Sequence, residues 1–115
     1  MAVQELPIET GVAWFDYQIS LDGVTFRLEF RWNDRDSAWA LNIYDSGDVL
    51  LLGGIKIVLG FPLISQYSDP ALPAGDFLAF DTSGTDEPPT LTDFGTRVEL
   101  HYYEGIKLRD VLRGQ

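Results

Sequence analysis

The sequence predicts an all-β fold, a small single-domain antiparallel β-barrel or sandwich of about seven strands. Two patterns predict this directly: apolar residues recur at every second position in several segments, and turn-forming residues separate those segments about every ten positions. The composition agrees, because 45% hydrophobic residues, with seven Phe, five Tyr and three Trp among 115 residues, supply an aromatic-rich core. A chain of this size removes roughly two-thirds of its unfolded surface from water on folding, enough for a core without crosslinks. There is no cysteine, which excludes disulfides, thiolate zinc sites and cysteine nucleophiles and leaves the redox compartment undetermined.

Taken in order, residues 3–8 suit a short first strand, restricted to an edge or a strand end because Pro7 has no amide donor. Residues 13–21 alternate Phe15, Tyr17, Ile19 and Leu21 with polar side chains. Residues 24–32 do the same with Phe26, Leu28, Phe30 and Trp32. Asp22-Gly23 between them is a type I′ turn signal, since both central residues of that turn need positive φ. The next hairpin turns at Asn33-Asp34-Arg35-Asp36-Ser37 and returns with Trp39, Leu41 and Ile43 in phase. Asp45-Ser46-Gly47-Asp48 then turns into residues 49–58, completing a meander of four strands, and Gly53-Gly54 predicts a bulge or bend in the fourth.

From Gly60 the pattern changes. Phe61-Pro62-Leu63-Ile64 predicts a short helical turn with proline in its first turn. Residues 69–76 form a proline-kinked loop whose apolar side chains pack on the domain. Residues 77–81 are a short strand, residues 82–94 a polar stretch with Pro88-Pro89, and residues 96–103 a last strand with Val98, Leu100 and Tyr102 on one face. Residues 1–104 are the β-domain, with 17 acids against five bases. Residues 105–115 are a C-terminal tail with Asp110 against Lys107, Arg109 and Arg113. A tail helix this short is marginal in water by itself, below ~12 residues, and needs a partner or the body of the domain to order it.

The net charge of −10 repels phosphate backbones and argues against nucleic-acid binding. No run of 18 apolar residues predicts a membrane span, and the acidic N-terminus lacks the long apolar stretch of a signal peptide. His101 is the single histidine, so a multi-histidine metal site is impossible, and its phase opposite Val98, Leu100 and Tyr102 predicts a rim position rather than a catalytic one. The acids Asp34 and Asp36, Asp45 and Asp48, and Asp81, Asp86 and Glu87 sit in turn-like segments. Residues 81–87 look superficially like a calcium loop, but Gly84 is at the fourth position rather than the sixth and the distal Glu is absent. Trp32 and Trp39 are in phase with core positions, whereas Trp14 falls out of phase with Phe15, Tyr17 and Ile19, and an exposed Trp14 would point to a protein interface rather than a ligand site. Gly53-Gly54 lacks the Lys and Ser/Thr of a phosphate-binding loop. No cofactor and no metal are predicted.

Several segments in order carry a resemblance. They are Arg27-Leu28, Phe30-Arg31-Trp32-Asn33-Asp34-Arg35, Ala38-Trp39, Tyr44-Asp45, Gly54-Ile55-Lys56-Ile57-Val58 and Gly60-Phe61-Pro62-Leu63. Leu72-Pro73, Asp81-Thr82-Ser83-Gly84 and Leu91-Thr92-Asp93-Phe94-Gly95-Thr96-Arg97-Val98 continue the series. From about Glu5 to Glu104 the chain resembles the baseplate plug domain of contractile-tailed bacteriophages, of the cyanophage type. The resemblance implies a non-enzymatic virion protein of the tail baseplate, near hub and spike, that helps close the end of the tail tube after assembly in the host cytoplasm. Its implied partners are hub, spike, tube or baseplate proteins, or copies of itself. The contact residues we expect are Trp14, Phe61, Pro62, Pro70 and Pro73 of the domain and Ile106, Arg109 and Leu112 of the tail. Unpaired strand edges and rigid loops favour docking. The competing reading is a small ligand- or carbohydrate-binding β-domain whose acidic turns hold calcium, and an enzyme using paired carboxylates ranks last.

Overall fold

Alternating side chains fold the chain into two facing sheets. The computed structural model describes residues 3–64, 67, 71–84 and 87–105. Its strands are β1 (Val3–Glu5), β2 (Trp14–Leu21), β3 (Val24–Asn33), β4 (Ala38–Asp45), β5 (Leu50–Lys56), β6 (Asp76–Asp81) and β7 (Val98–Tyr103). The meander forms a four-stranded sheet in the order β2-β3-β4-β5, and the others form a three-stranded sheet in the order β1-β7-β6. All strand pairs are antiparallel. The result is sandwich-like and no closed barrel forms. A parallel bridge from Leu59 to Ala79 ties the connection after β5 to the smaller sheet.

Local chemistry sets the register. Asp22 (φ 54°) and Gly23 (φ 80°) both take the positive φ that the β2–β3 turn requires. At the β3–β4 turn Asn33 Oδ1 accepts from the backbone N–H of Arg35 (3.0 Å) and Asp36 (3.3 Å), which fixes Trp32 opposite Trp39. Between β4 and β5 the register slips at the two glycines: Leu41 faces Ile55 and Ile43 faces Leu52, so Asn42 opposes both Gly53 and Gly54. Asn42 Oδ1 accepts from the Gly54 N–H at 2.7 Å, satisfying the bulge.

The inward faces supply the core. Phe15, Leu28, Phe30, Trp39, Leu41 and Ile43 from the large sheet meet Phe77, Ala79, Val98, Leu100 and Tyr102 from the small one. Leu6, Leu63, Ile64 and Phe94 are buried with them from the connections. Phe94 fills the space against Phe30 (5.9 Å) and Trp39 (5.2 Å), and the Trp39 indole N–H donates to the Thr90 carbonyl. Each fully buried large apolar side chain of this kind stabilises the fold by about 1.5–3 kcal/mol. The Tyr102 hydroxyl closes one end, donating to Asp22 Oδ2 (2.6 Å) and accepting from the Gly75 N–H (2.7 Å). Gly75 cannot be larger, because a Cβ there would lie 2.0 Å from the Tyr103 carbonyl oxygen.

Two expectations change. The segment Phe61-Pro62-Leu63-Ile64 is a bend, not a helical turn, and no helix occurs among the described residues. Its amides are taken by the small sheet instead: Leu63 N–H donates to the Phe77 carbonyl and Ile64 N–H to Asp76 Oδ1. Trp32 packs against the core as its phase predicts but stays half-buried, with its ring edge-on to Trp39 and its indole N–H donating to Asp34. The first strand stops at Glu5, before Pro7. The tail residues 106–115 and their expected helix lie outside the described residues.

Candidate functional site

The polar phase of the meander forms an outer sheet face with its own organisation. One row across the strands runs Trp14, Arg31, Ala40, Lys56, and the next runs Asp16, Glu29, Asn42 to the glycine bulge. Glu29 is the centre of this face although it is only 8% exposed. Its Oε2 accepts from the Trp14 indole N–H at 2.6 Å, and its Oε1 accepts from Asn42 Nδ2 at 2.9 Å and the Tyr44 hydroxyl at 3.0 Å. Burial pushes its carboxyl up, but the bonds from Asn42, Trp14 and Tyr44, with the Arg31 charge, outweigh that and hold it below its ordinary value. The same bond raises the Tyr44 hydroxyl. Trp14, which is 50% exposed, therefore stands on the face with its ring orientation fixed.

Arg27 organises the adjoining region. It pairs with Asp16 (2.7 Å) and Asp48 (2.8 Å) and lies 3.9 Å over the Tyr44 ring. Beside the β3–β4 turn the face dips into a hollow of about 540 Å³. Ala40, Asn42 and Gly54 line it, with Arg31, Trp32 and the turn residues Asn33, Asp34 and Arg35. The hollow exists because Ala40 and Gly54 put almost nothing above the sheet where longer side chains stand around them.

The acidic turns serve the backbone. Asp45 Oδ1 accepts from the N–H of Gly47 and Val49. Asp81 Oδ1 accepts from Ser83, and its Oδ2 meets the Arg97 guanidinium at 2.7 Å, so the cation beside the supposed calcium loop is an arginine. Arg97 also binds Asp93 (2.9 Å) and the carbonyls of Glu87 and Pro88, pinning the loop before β7. On the small sheet's outer face Glu5 pairs opposite His101, with Glu99 two residues away, and ligating atoms of the three lie within 4.8 Å of one another. His101 Nε2 is 3.2 Å from Glu99 Oε1, and the imidazole packs edge-on to Phe80. His101 is half-buried on the outward phase of β7.

The expected contact residues are dispersed. Trp14 stands on edge strand β2, and Phe61, 66% exposed, on the connection that bonds to β6. Pro62 is half-buried and Pro73 is buried, because the loop before β6 packs on the core through Leu72 and Gly75, which withdraws Pro73 from the surface. Pro70, Ile106, Arg109 and Leu112 lie outside the described residues. The Glu29 network escaped sequence reading because Glu29 sits on the polar phase of β3 and its donors come from two other strands.

Against this geometry stands one family match: the model for cyanophage baseplate Pam3 plug gp18 covers residues 3–105. No curated protein matches the chain.

Proposed function

The chain belongs to the cyanophage baseplate plug family, and we propose that it is a structural, non-enzymatic part of the phage tail baseplate that helps close the end of the tail tube. In this role residues 1–104 are the plug-like β-domain and residues 105–115 a tail that adds contacts. It docks against hub, spike, tube or neighbouring baseplate proteins, and it assembles in the host cytoplasm before residing in the virion. The single observation that carries the reading beyond the family is the outer face of the four-stranded sheet. There a buried carboxylate holds the exposed Trp14 ring in place through Glu29, and Arg27 locks its neighbours, so side chains are pre-ordered on an otherwise open surface. Pre-ordered aromatic rings lose little entropy on docking and are favoured at interfaces. Phe61 offers a second exposed anchor on the connection to the small sheet.

The test is mass spectrometry of purified virions and isolated baseplates of a phage that encodes the chain, together with tails assembled without it. The expected result is the chain in stoichiometric amounts in baseplates and defective tube ends in its absence. Virions that contain none of it, with intact tails, overturn the reading. Trp14→Ala and Phe61→Ala variants, whose folding circular dichroism checks, are expected to enter baseplates poorly.

A further inference from the structure

We propose that the hollow beside the β3–β4 turn seats a short acidic segment of a different baseplate protein, its carboxylates held by Arg31, Arg35 and Lys56. This rests on the baseplate reading and names the chemistry of one partner. The chain carries 18 acids and eight bases, so its few cations have ample acids to pair with. Two of the five cations among the described residues are used that way, Arg27 with Asp16 and Asp48, and Arg97 with Asp81 and Asp93. The side chains of Arg31, Arg35 and Lys56 make no hydrogen bond or ion pair among the described residues. All three are exposed.

They are also gathered. Arg31 and Lys56 flank Ala40 in one row, two strand spacings or about 10 Å apart, and Arg35 stands at the turn on the hollow's rim. The wall's one acid, Asp34, accepts from the Trp32 indole N–H. Glu29 already accepts from three donors and forms no ion pair with Arg31, Arg35 or Lys56. An extended segment with acids at alternate positions sets its carboxylates about 7 Å apart, a spacing two long cationic side chains can bracket. A second whole copy would bring ten further negative charges to the contact, which favours a short segment of another chain.

Lys56 supplies the readout. Assembled baseplates and the free chain are treated in parallel with an amine acylating reagent, and the baseplates separately with a carbodiimide. The carbodiimide activates a carboxyl, the Lys56 amine displaces the activating group, and an amide forms. The expected result is Lys56 acylation about tenfold or more slower in baseplates than in the free chain, and a cross-link from Lys56 to an Asp or Glu of a different protein. Equal reactivity in the two states overturns the inference while leaving the baseplate reading intact, and a cross-link to a second copy overturns the choice of occupant. Absence of the chain from baseplates overturns the reading it rests on. The charge-reversed variant R31E/K56E is expected to stay folded, checked by circular dichroism, and to lose incorporation about tenfold or more, with R31K/K56R keeping it. Full incorporation of the reversed variant overturns the inference.

Discussion

Replacing Glu29 with Gln changes one atom's chemistry and tests the organisation of the outer face. The carboxylate accepts three bonds, from Trp14, Asn42 and Tyr44, at 2.6 to 3.0 Å. In the variant the amide oxygen can stay with Asn42 and Tyr44, but the amide N–H₂ then faces the Trp14 indole N–H, donor against donor. One bond to a charged acceptor is lost, a term of about 1.5–3 kcal/mol. The two that remain become neutral and roughly halve in strength. Allowing for the solvent beside this face, Glu29→Gln should cost about 2–3 kcal/mol. For a chain of this size that is roughly 8–15 °C in melting temperature. Trp14→Phe removes the donor together with part of a half-exposed ring and should cost about 1 kcal/mol. Because both changes break the same bond, the double variant should lose less than the sum, with a coupling of about 1–2 kcal/mol. Urea denaturation followed by circular dichroism at pH 7 on the four proteins measures it. A Glu29→Gln variant within about 0.5 kcal/mol of the parent, or a coupling near zero, refutes the claim that this carboxylate organises the face.

Acidification probes the same groups. The Glu29 and Asp93 carboxyls are both held low in the folded state; burial raises each, and hydrogen bonds, from Arg97 and Thr90 in the case of Asp93, outweigh it. Depressed carboxyls contribute stability that is complete above their unfolded values, about 4.3 for Glu and 3.9 for Asp, and is lost as pH falls through the folded ones. Stability should therefore hold on descending to about pH 5 and fall below about pH 4, less steeply in Glu29→Gln. Arg97→Lys should lower the melting temperature, because an ammonium cannot reach Asp81, Asp93 and the two carbonyls together, and an unchanged melting temperature contradicts that role. The two core tyrosines should separate in calorimetry. Tyr17 has a buried hydroxyl with no partner among the described residues, so Tyr17→Phe should be neutral or stabilising by up to about 1 kcal/mol. Tyr102→Phe strips Asp22 and the Gly75 N–H of a partner and should cost about 1–3 kcal/mol.

Much of this fold was readable one strand at a time. The alternation through Phe26, Leu28 and Phe30 names the buried face of β3, and Asp22-Gly23 fixes the turn before it, because both signals lie within a few residues of chain. The bulge at Gly53-Gly54 was legible for the same reason, although its partner Asn42 was not. Phe61-Pro62-Leu63-Ile64 was misread because its amides are claimed by Phe77 and Asp76, partners that no local helix rule weighs.

The sequence by itself determined an acidic, cysteine-free, all-β chain, its strands, and Trp14 as a ring out of phase with the core face of its strand. Tertiary structure alone decided that β7 lies between β1 and β6, that Glu29 lies almost buried on an outer face, and that Arg31 and Arg35 line one hollow with Lys56 paired opposite its Ala40. The physical reason is range. A two-residue period says which side of a strand is apolar, but the register between strands decides which polar side chains become neighbours, and the contact surface is made of those neighbours.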